Sequence, residues 1–330
     1  MITSILGFAV CATIIFLAGK RLSYYGDLLA DLTGMGKAWI GLILMAAVTS
    51  LPELMVGISS VAIVGSPDLA VGDIMGSCAF NLGILSLMDM FTPKNRPLFS
   101  SVSQSHILAA CFGIILILMA GLGLFLDEDM VLTPSIGLTS LSFAAMYFVA
   151  MKTIYNYQKS HPKVEEHHQD SGGLTLRQVS MRYAGFASII IVAALALPHF
   201  AEQIAEATGL GKSFVGTLFL AISTSLPEIA VSLAAIRMGS PDLAVGNLLG
   251  SNIFNIFILF LDDLFYTKGH LLKVASEANL VSVFFVVGMS AVAIIGFIFP
   301  SREKKIFLAG DTLVILLLYI ANMVLLYKIT

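Results

Sequence analysis

The chain has 330 residues, 58% of them hydrophobic and 12% charged, with a formal net charge of −3. It is too apolar for an ordinary soluble domain, and with no basic tract or aromatic–basic patch to hold phosphates it excludes a nucleic-acid partner. Cys11, Cys78 and Cys111 all lie in apolar runs, which suits neither a disulfide framework nor a metal knuckle and reads as small buried hydrophobes.

Taken in chain order, ten apolar runs approach the roughly 20 residues that a bilayer-crossing helix needs. They are 2–19, 38–63, 69–89, 106–126, 132–151, 183–205, 213–238, 243–263, 278–299 and 310–327. The first has no basic residue before it, Lys20-Arg21 after it and no small-residue cleavage site. It is therefore expected to remain a span rather than leave as a signal peptide. Each span is expected to be helical, because lipid offers the backbone no hydrogen-bonding partner and no run alternates like a barrel strand. The expected fold class is an all-α polytopic membrane protein with ten transmembrane helices, residing in the plasma or inner membrane.

Lys and Arg set the direction of insertion. With the N-terminus outside, fourteen of them fall on inner segments: Lys20, Arg21, Lys37, Lys94, Arg96, Lys152, Lys159, Lys163, Arg177, Arg182, Arg237, Arg302, Lys304 and Lys305. Only Lys212, Lys268, Lys273 and Lys328 fall outside, so both termini are expected on the outer face. The longest polar segment, 152–182, divides a five-span half, 1–151, from a second, 183–330, and reads as a cytoplasmic linker. His161, His167 and His168 within it could hold a metal, but a solvated hinge is the simpler reading, and there is no room for a folded regulatory domain.

The two halves are copies. Thr33-Gly34-Met35-Gly36-Lys37 matches Thr208-Gly209-Leu210-Gly211-Lys212, and Thr49-Ser50-Leu51-Pro52-Glu53 returns as Thr224-Ser225-Leu226-Pro227-Glu228, at an offset of 175. Gly65 to Gly72 is then identical to Gly239 to Gly246 at an offset of 174, and Gly76-Ser77-Cys78-Ala79-Phe80-Asn81 parallels Gly250-Ser251-Asn252-Ile253-Phe254-Asn255. The repeat segments cover about 38–89 and 213–263. An odd number of spans per half inserts the second copy upside down, the arrangement in which secondary transporters place their site at the midplane between discontinuous helices. Counting along the spans puts both Thr-Ser-Leu-Pro-Glu segments and both Gly-Ser segments at the middle of the bilayer.

A carboxylate there costs on the order of 2.5–3.5 kcal/mol, so a functional role is the default reading. Pro52 and Pro227 have no N–H for the carbonyls of Val48 and Ser223 and push the helix open. Loosened carbonyls near Ala46, Thr49, Ala221 and Thr224 can then turn toward a cation. Thr49 with Glu53, Thr224 with Glu228, Ser77 with Asn81 and Ser251 with Asn255 are each four apart and share a helix face. This shell is all oxygen, without thiolate or imidazole, which points to a hard cation such as Ca²⁺ or Na⁺ rather than zinc or copper. Two facing carboxylates balance one Ca²⁺, and refilling their site with another cation gives exchange a physical basis.

Other polar residues carry competing readings. Asn81 or Asn255 alone is either a ligand or interhelical glue. Asp68 and Asp242, in the duplicated Ser-Pro-Asp turns, read most simply as helix caps. Asp89, Asp127, Glu128, Asp129, Asp262 and Asp263 fall at span ends, where solvation suffices. Asp73 is either a third acid in an outer vestibule or an acid favoured near a helix N-terminus, and its mate in the second half is neutral Asn247.

The paired Thr-Ser-Leu-Pro-Glu and Gly-Ser-x-x-x-Asn segments, spanning roughly 30–90 and 205–264, resemble the α-repeats of the sodium/calcium exchangers within the calcium:cation antiporter superfamily. The resemblance implies ten helices and a diamond of four ion sites lined by helices 2, 3, 7 and 8. It implies that Glu53 and Glu228 bind Ca²⁺ with the carbonyls of Thr49 and Thr224. Na⁺ would use those carboxylates with Ser50, Ser77, Ser225, Ser251, the Thr hydroxyls and the carbonyls of Ala46 and Ala221. Asn81 and Asn255 would line the central position, and helices 1 and 6 would slide across the core. The chain departs from the family pattern at Val48 and Ser223, where glycine is usual, at Cys78, and at Asp73, where asparagine is commoner. Neutral Asn255 argues against K⁺ co-transport, and Thr-Ser-Leu-Pro-Glu in place of Gly-Asn-Ala-(Ala/Thr)-Glu favours Na⁺ over H⁺.

The expected function is Ca²⁺/Na⁺ antiport, with Ca²⁺/H⁺ or other cation/Ca²⁺ antiport as the alternative and a cation channel as a distant one. No cofactor and no obligatory protein partner are expected beyond the transported ions and the bilayer. An enzyme finds little support: His-Glu-x-x-His, Gly-x-Ser-x-Gly and a paired-Asp motif are absent, and Gly211-Lys212-Ser213 lacks the upstream glycine of a phosphate loop, with Glu206 in its place.

Overall fold

The computed structural model describes residues 2–126, 131–133, 136–161, 173–208, 221–304 and 307–329. Nine helices among them are long and apolar enough to cross a bilayer: α1 (Ile2–Thr33), α2 (Lys37–Val64), α3 (Pro67–Met88, continued by the 3₁₀ turn Asp89–Phe91), α4 (Ser105–Phe125), α5 (Leu138–Ser160), α6 (Leu176–Ala207), α8 (Pro241–Phe265), α9 (Asn279–Ile298) and α10 (Gly310–Ile329). The seventh expected span, 213–238, begins in the segment 209–220, outside the described residues. Its described part, α7, is helical over 221–224 and Leu226–Arg237. The chain is thus an all-α, ten-helix membrane protein with a single small antiparallel strand pair among the described residues, Val131–Thr133 with Ile136–Gly137.

The helices overrun the apolar runs. α1 continues from Gly19 to Thr33 because its polar end is packed, not solvated: Leu22 and Leu28 are buried, and buried Asp27 takes Lys37 at 3.0 Å and the Ser240 hydroxyl at 2.6 Å. α5 runs on to Ser160, and α6 starts at Leu176 behind a capping box formed by Thr175 and Gln178. His167 and His168 lie outside the described residues, while exposed His161 stacks on Tyr157.

α8 is the axis of the bundle. It packs against α2, α3, α4, α5 and α7, while α1 lies along α6 and both touch α7. A separate apolar cluster of Cys11, Ile15, Ala193, Ala194, Leu197 and Ala230 joins α1, α6 and α7. Large apolar side chains such as Leu6, Leu17, Val192, Phe284 and Leu317 remain exposed on the outer faces, as lipid contact requires. Cys11 and Cys78 are buried and Cys111 half-buried, all three unpaired.

The acids at the span ends are not solvated, contrary to expectation. Asp89, Asp262 and Asp263 are at most 1% exposed; Asp127, Glu128 and Asp129 lie outside the described residues. Asp89 accepts from the amides of Leu98 and Ala309, both at 2.8 Å, and pairs with Lys304 at 3.3 Å. Its repeat mate Asp263 accepts from the Leu271 amide at 2.7 Å and from the Ser140 hydroxyl. Each acid satisfies the backbone of the chain leaving its own helix, which solvent does less well next to lipid.

Asp68 and Asp242 do not cap either. The cap positions are Ser66 and Ser240, neither with a side-chain capping bond, and Pro67 and Pro241 begin the helices. Asp68 accepts instead from the Ser276 amide (2.8 Å) and from Asn279 (3.1 Å), while Asp242 accepts from the Ser103 amide and faces His106 at 3.0 Å. Each acid thus clamps a loop of the opposite half. The glycines before these turns, Gly65 and Gly239, have φ of 72° and 79°, which few other residues adopt.

Between the halves, α2 and α8 approach backbone to backbone. A Cβ on Gly41, Gly246 or Gly250 would strike the opposing backbone at Leu243, Ala38 or Leu42 respectively. Gly250→Ala therefore forces these helices apart and should cost about 1–3 kcal/mol. A lowered heat-denaturation midpoint of the detergent-solubilised protein is the expected result, and an unchanged midpoint would contradict the contact.

Candidate functional site

The two duplicated Thr-Ser-Leu-Pro-Glu segments break their helices in the same way. Ser50 (φ −89°, ψ 7°) and Ser225 (φ −85°, ψ 9°) leave helical geometry, and new helical segments begin at Leu51 and Leu226 with a proline in the first turn. The ladder resumes with the Leu54 amide on the Ser50 carbonyl at 3.2 Å and the Ile229 amide on the Ser225 carbonyl at 3.3 Å. Each glutamate therefore stands in the first turn of a half-helix, where the positive end of the helix dipole favours a negative charge. In α2 the broken stretch is preceded by a π-helical turn, Gly41–Met45, and followed by a second, Ser60–Val64.

The carboxylates are held crosswise. Ser50 of the first half donates to Glu228 Oε1 at 3.3 Å, and Ser225 of the second half donates to Glu53 Oε1 at 3.5 Å. Ser77 on α3 also reaches Glu53 Oε1 at 3.5 Å, while Thr49 and Ser251 complete the hydroxyl ring around Glu228. Glu53 and Glu228 lie within electrostatic reach of one another. Thr49, Ser50, Glu53, Ser77, Asn81, Thr224, Ser225, Glu228, Ser251 and Asn255 are all at most 2% exposed, so this polar group is sealed inside the bundle.

Four buried acceptor oxygens in this group have no donor: Glu53 Oε2, Glu228 Oε2, Asn81 Oδ1 and Asn255 Oδ1. The asparagine nitrogens are occupied. Asn81 Nδ2 donates to Asn252 Oδ1 at 3.0 Å, and Asn255 Nδ2 points at Cys78 Sγ at 3.9 Å. Each asparagine thus ties helices together through its nitrogen and leaves an oxygen over, combining the two readings its sequence position allowed. Undonated oxygens in a sealed cluster are what an oxygen-seeking cation requires, and without one they carry an unrelieved desolvation cost.

The carbonyls behave differently from expectation. Ala46 O accepts from the Ser50 amide at 3.0 Å and the Thr49 hydroxyl at 3.4 Å; Ala221 O accepts from the Ser225 amide at 3.2 Å and the Thr224 hydroxyl at 2.9 Å. The prolines delete the bonds to carbonyls two residues later, at Val48 and Ser223, so these two carbonyls stay in the ladder, and a cation would have to compete with the threonines for them.

Asp73 is half-buried on α3, in the second turn after Pro67, beyond the first-turn reach of the dipole that would have explained it. It lies within electrostatic reach of Glu53 and keeps Oδ2 without a donor. Two residues that sequence reasoning did not single out join the network. Asn247, the mate of Asp73, accepts from Thr49 at 3.2 Å and donates to Ser232 at 3.0 Å, and Asn252 returns a bond to the Cys78 carbonyl at 3.2 Å. Their signal was that both stand where the two copies differ.

Comparison with known proteins places this arrangement. A family model described as "Sodium/calcium exchanger protein" matches residues 3–153 and 182–328. The chain is 28% identical over 254 residues to "Inner membrane protein YrbG" of Escherichia coli (strain K12), covering 73% of each. It is 31% identical over 250 residues to "Putative antiporter CaxA" of Alkalimonas amylolytica, covering 72% of this chain and 73% of that one. Its fold is similar to a solved structure of the sodium-calcium exchanger NCX_Mj, with a TM-score of 0.75 at 20% identity over 98% of this chain and 99% of that one. With a family match across both halves, the chain belongs to the sodium/calcium exchanger protein family.

Proposed function

We propose that this chain is a secondary antiporter that exchanges Ca²⁺ for Na⁺ by alternating access, binding both ions between Glu53 and Glu228. The observation that carries this reading is the crosswise hold on the two carboxylates, each leaving one oxygen undonated beside the spare oxygens of Asn81 and Asn255. Ca²⁺ takes six to eight oxygen ligands, and two carboxylates offset its charge. Ser50, Ser77, Ser225, Ser251, Thr49 and Thr224 suit Na⁺, as do the carbonyls of Ala46 and Ala221 once released by the threonines. The hydroxyl-rich Thr-Ser-Leu-Pro-Glu segments favour Na⁺ over H⁺ as the coupling ion.

In this reading 1–151 and 183–330 are inverted functional halves joined by a cytoplasmic linker, 152–182. The pairing of α1 with α6, and their own apolar cluster against α7, support these two helices moving as a unit. Both termini lie outside and the protein sits in the plasma or inner membrane. A C-terminal alkaline phosphatase fusion should be active and a fusion within 162–172 inactive; the reverse pattern contradicts the orientation.

Purified protein in Na⁺-loaded vesicles should take up ⁴⁵Ca²⁺ when diluted into Na⁺-free medium. Uptake that follows an imposed pH gradient and ignores Na⁺ identifies a Ca²⁺/H⁺ antiporter, and flux independent of any counter-ion identifies a channel. Glu53→Gln and Glu228→Gln each remove an ion-binding charge worth about 1.5–3 kcal/mol, a tenfold or greater loss. Exchange should fall at least that far with the size-exclusion profile unchanged, and wild-type rates in either variant would sink the assignment.

A further inference from the structure

Asp262, near the end of α8, is 0% exposed, and neither of its carboxylate oxygens has a donor. No ion pair among the described residues involves it. Neighbouring Asp263 is saturated by the Leu271 amide and Ser140. The Asp262 carboxylate rests on the bare Cα of Gly57, where any Cβ would strike it. Gly57 is four residues past Glu53, which places it one turn, about 6 Å, farther along the same face of α2. Asp73 stands four residues before Ser77, which reaches Glu53 Oε1 at 3.5 Å, on the helix α3 that packs along α8. Its charge acts on both Asp262 and Glu53, and its own Oδ2 also lacks a donor.

The duplication supplies an internal control. The mates of Gly57 and Asp73 are Ser232 and Asn247, which form a neutral bond at 3.0 Å. The mate of Asp262 is Met88, buried at 3% exposure. The second half therefore fills this position with an amide–hydroxyl pair, and the first half places methionine at the position equivalent to Asp262. The scaffold needs no acid here. In the first half the serine is gone, the amide has become Asp73, and Asp262 reaches into the space that the missing side chain leaves. A buried carboxylate with no partner costs several kcal/mol, and two together repel.

We propose that Asp73 and Asp262 form a second cation-binding site, one helical turn from the central carboxylates toward the Gly65 end of α2. It holds a hard, partly hydrated cation such as Ca²⁺ and relays it between that face of the membrane and Glu53. Two carboxylates with water filling the remaining positions are a normal Ca²⁺ environment. The relay role rests on the exchange reading above; the binding itself does not.

Equilibrium dialysis of the full-length detergent-solubilised protein with ⁴⁵Ca²⁺ in Na⁺-free buffer separates the two. Wild type should show two classes of bound ion, the E53Q/E228Q double variant only the weaker one, and adding D262N should remove that as well. Asp262→Met, which copies Met88, should act like D262N, and Asp73→Asn, which copies Asn247, should weaken the same class at least tenfold. These residues are already tolerated at the equivalent places, so loss of binding would not reflect loss of fold. A wild-type chain whose single bound ion disappears in E53Q/E228Q overturns the second site and leaves the central one standing. Unchanged stoichiometry in D262N also overturns it, and a wild type that binds no Ca²⁺ overturns both readings.

Discussion

Two carboxylates from opposite halves share one sealed interior, and most of the structure can be understood as the means of holding them there. Each receives hydroxyl hydrogen bonds from the other half, Ser50 to Glu228 and Ser225 to Glu53. A hydrogen bond to a charged group contributes about 1.5–3 kcal/mol, whereas taking a carboxylate out of water costs several kcal/mol per ion. A helix N-terminus adds at most about 2 kcal/mol. At 3.3–3.5 Å the serine bonds are long, and Oε2 of each glutamate has no donor. The protein's own donors thus cover only part of the cost of keeping these carboxylates charged, a deficit that either a bound cation or a proton makes up.

Keeping that deficit inside the bundle demands a rigid frame, and the frame is interlocked rather than stacked. Asp68 of the first half clamps the chain before α9, and Asp242 of the second clamps the chain before α4. Asp89 and Asp263 each satisfy the segment leaving their own helix. α2 and α8 meet backbone to backbone where Gly41, Gly246 and Gly250 carry no side chain. Small residues allow the close approach that hydrophobicity alone cannot enforce inside lipid. None of these contacts touches the glutamates; the acids fix α3 and α8, which pack against the glutamate-bearing helices, and the glycine seam fixes α2 itself.

Much of this was legible in the residues. The apolar runs marked the spans, the duplication marked the pairing, and the odd number of spans per half marked the inversion. Thr49, Ser50, Glu53 and their mates fall in the interior because a proline-broken helix centred in a span has nowhere else to put them. What escaped was whatever depended on partners distant in sequence. Asp89 and Asp263 look solvated at a span boundary until the returning loops bury them, and Asp262 until α2 does. Asp68 and Asp242 sit where a cap would be expected, but their partners lie 136 to 211 positions away. Periodicity and capping rules see only about a turn in either direction, so a side chain that bridges the halves is invisible to them.

The points where the copies differ carry information of another kind. A perfect inverted repeat would present the same surroundings to an ion from either face, and this chain does not. Cys78 faces Asn252, so across the α3–α8 seam Asn81 meets the amide of Asn252 while its mate Asn255 meets only the sulfur of Cys78. Asp27 near the end of α1 is buried in an ion pair with Lys37, while Glu202, its mate near the end of α6, is exposed. A neutral Asn247–Ser232 bond on one side of the centre becomes an acid over a glycine on the other. Duplication builds the central site and the scaffold around it. Divergence between the copies then makes the two faces chemically distinct, and an exchanger that works against a gradient in one direction has a physical use for that distinction.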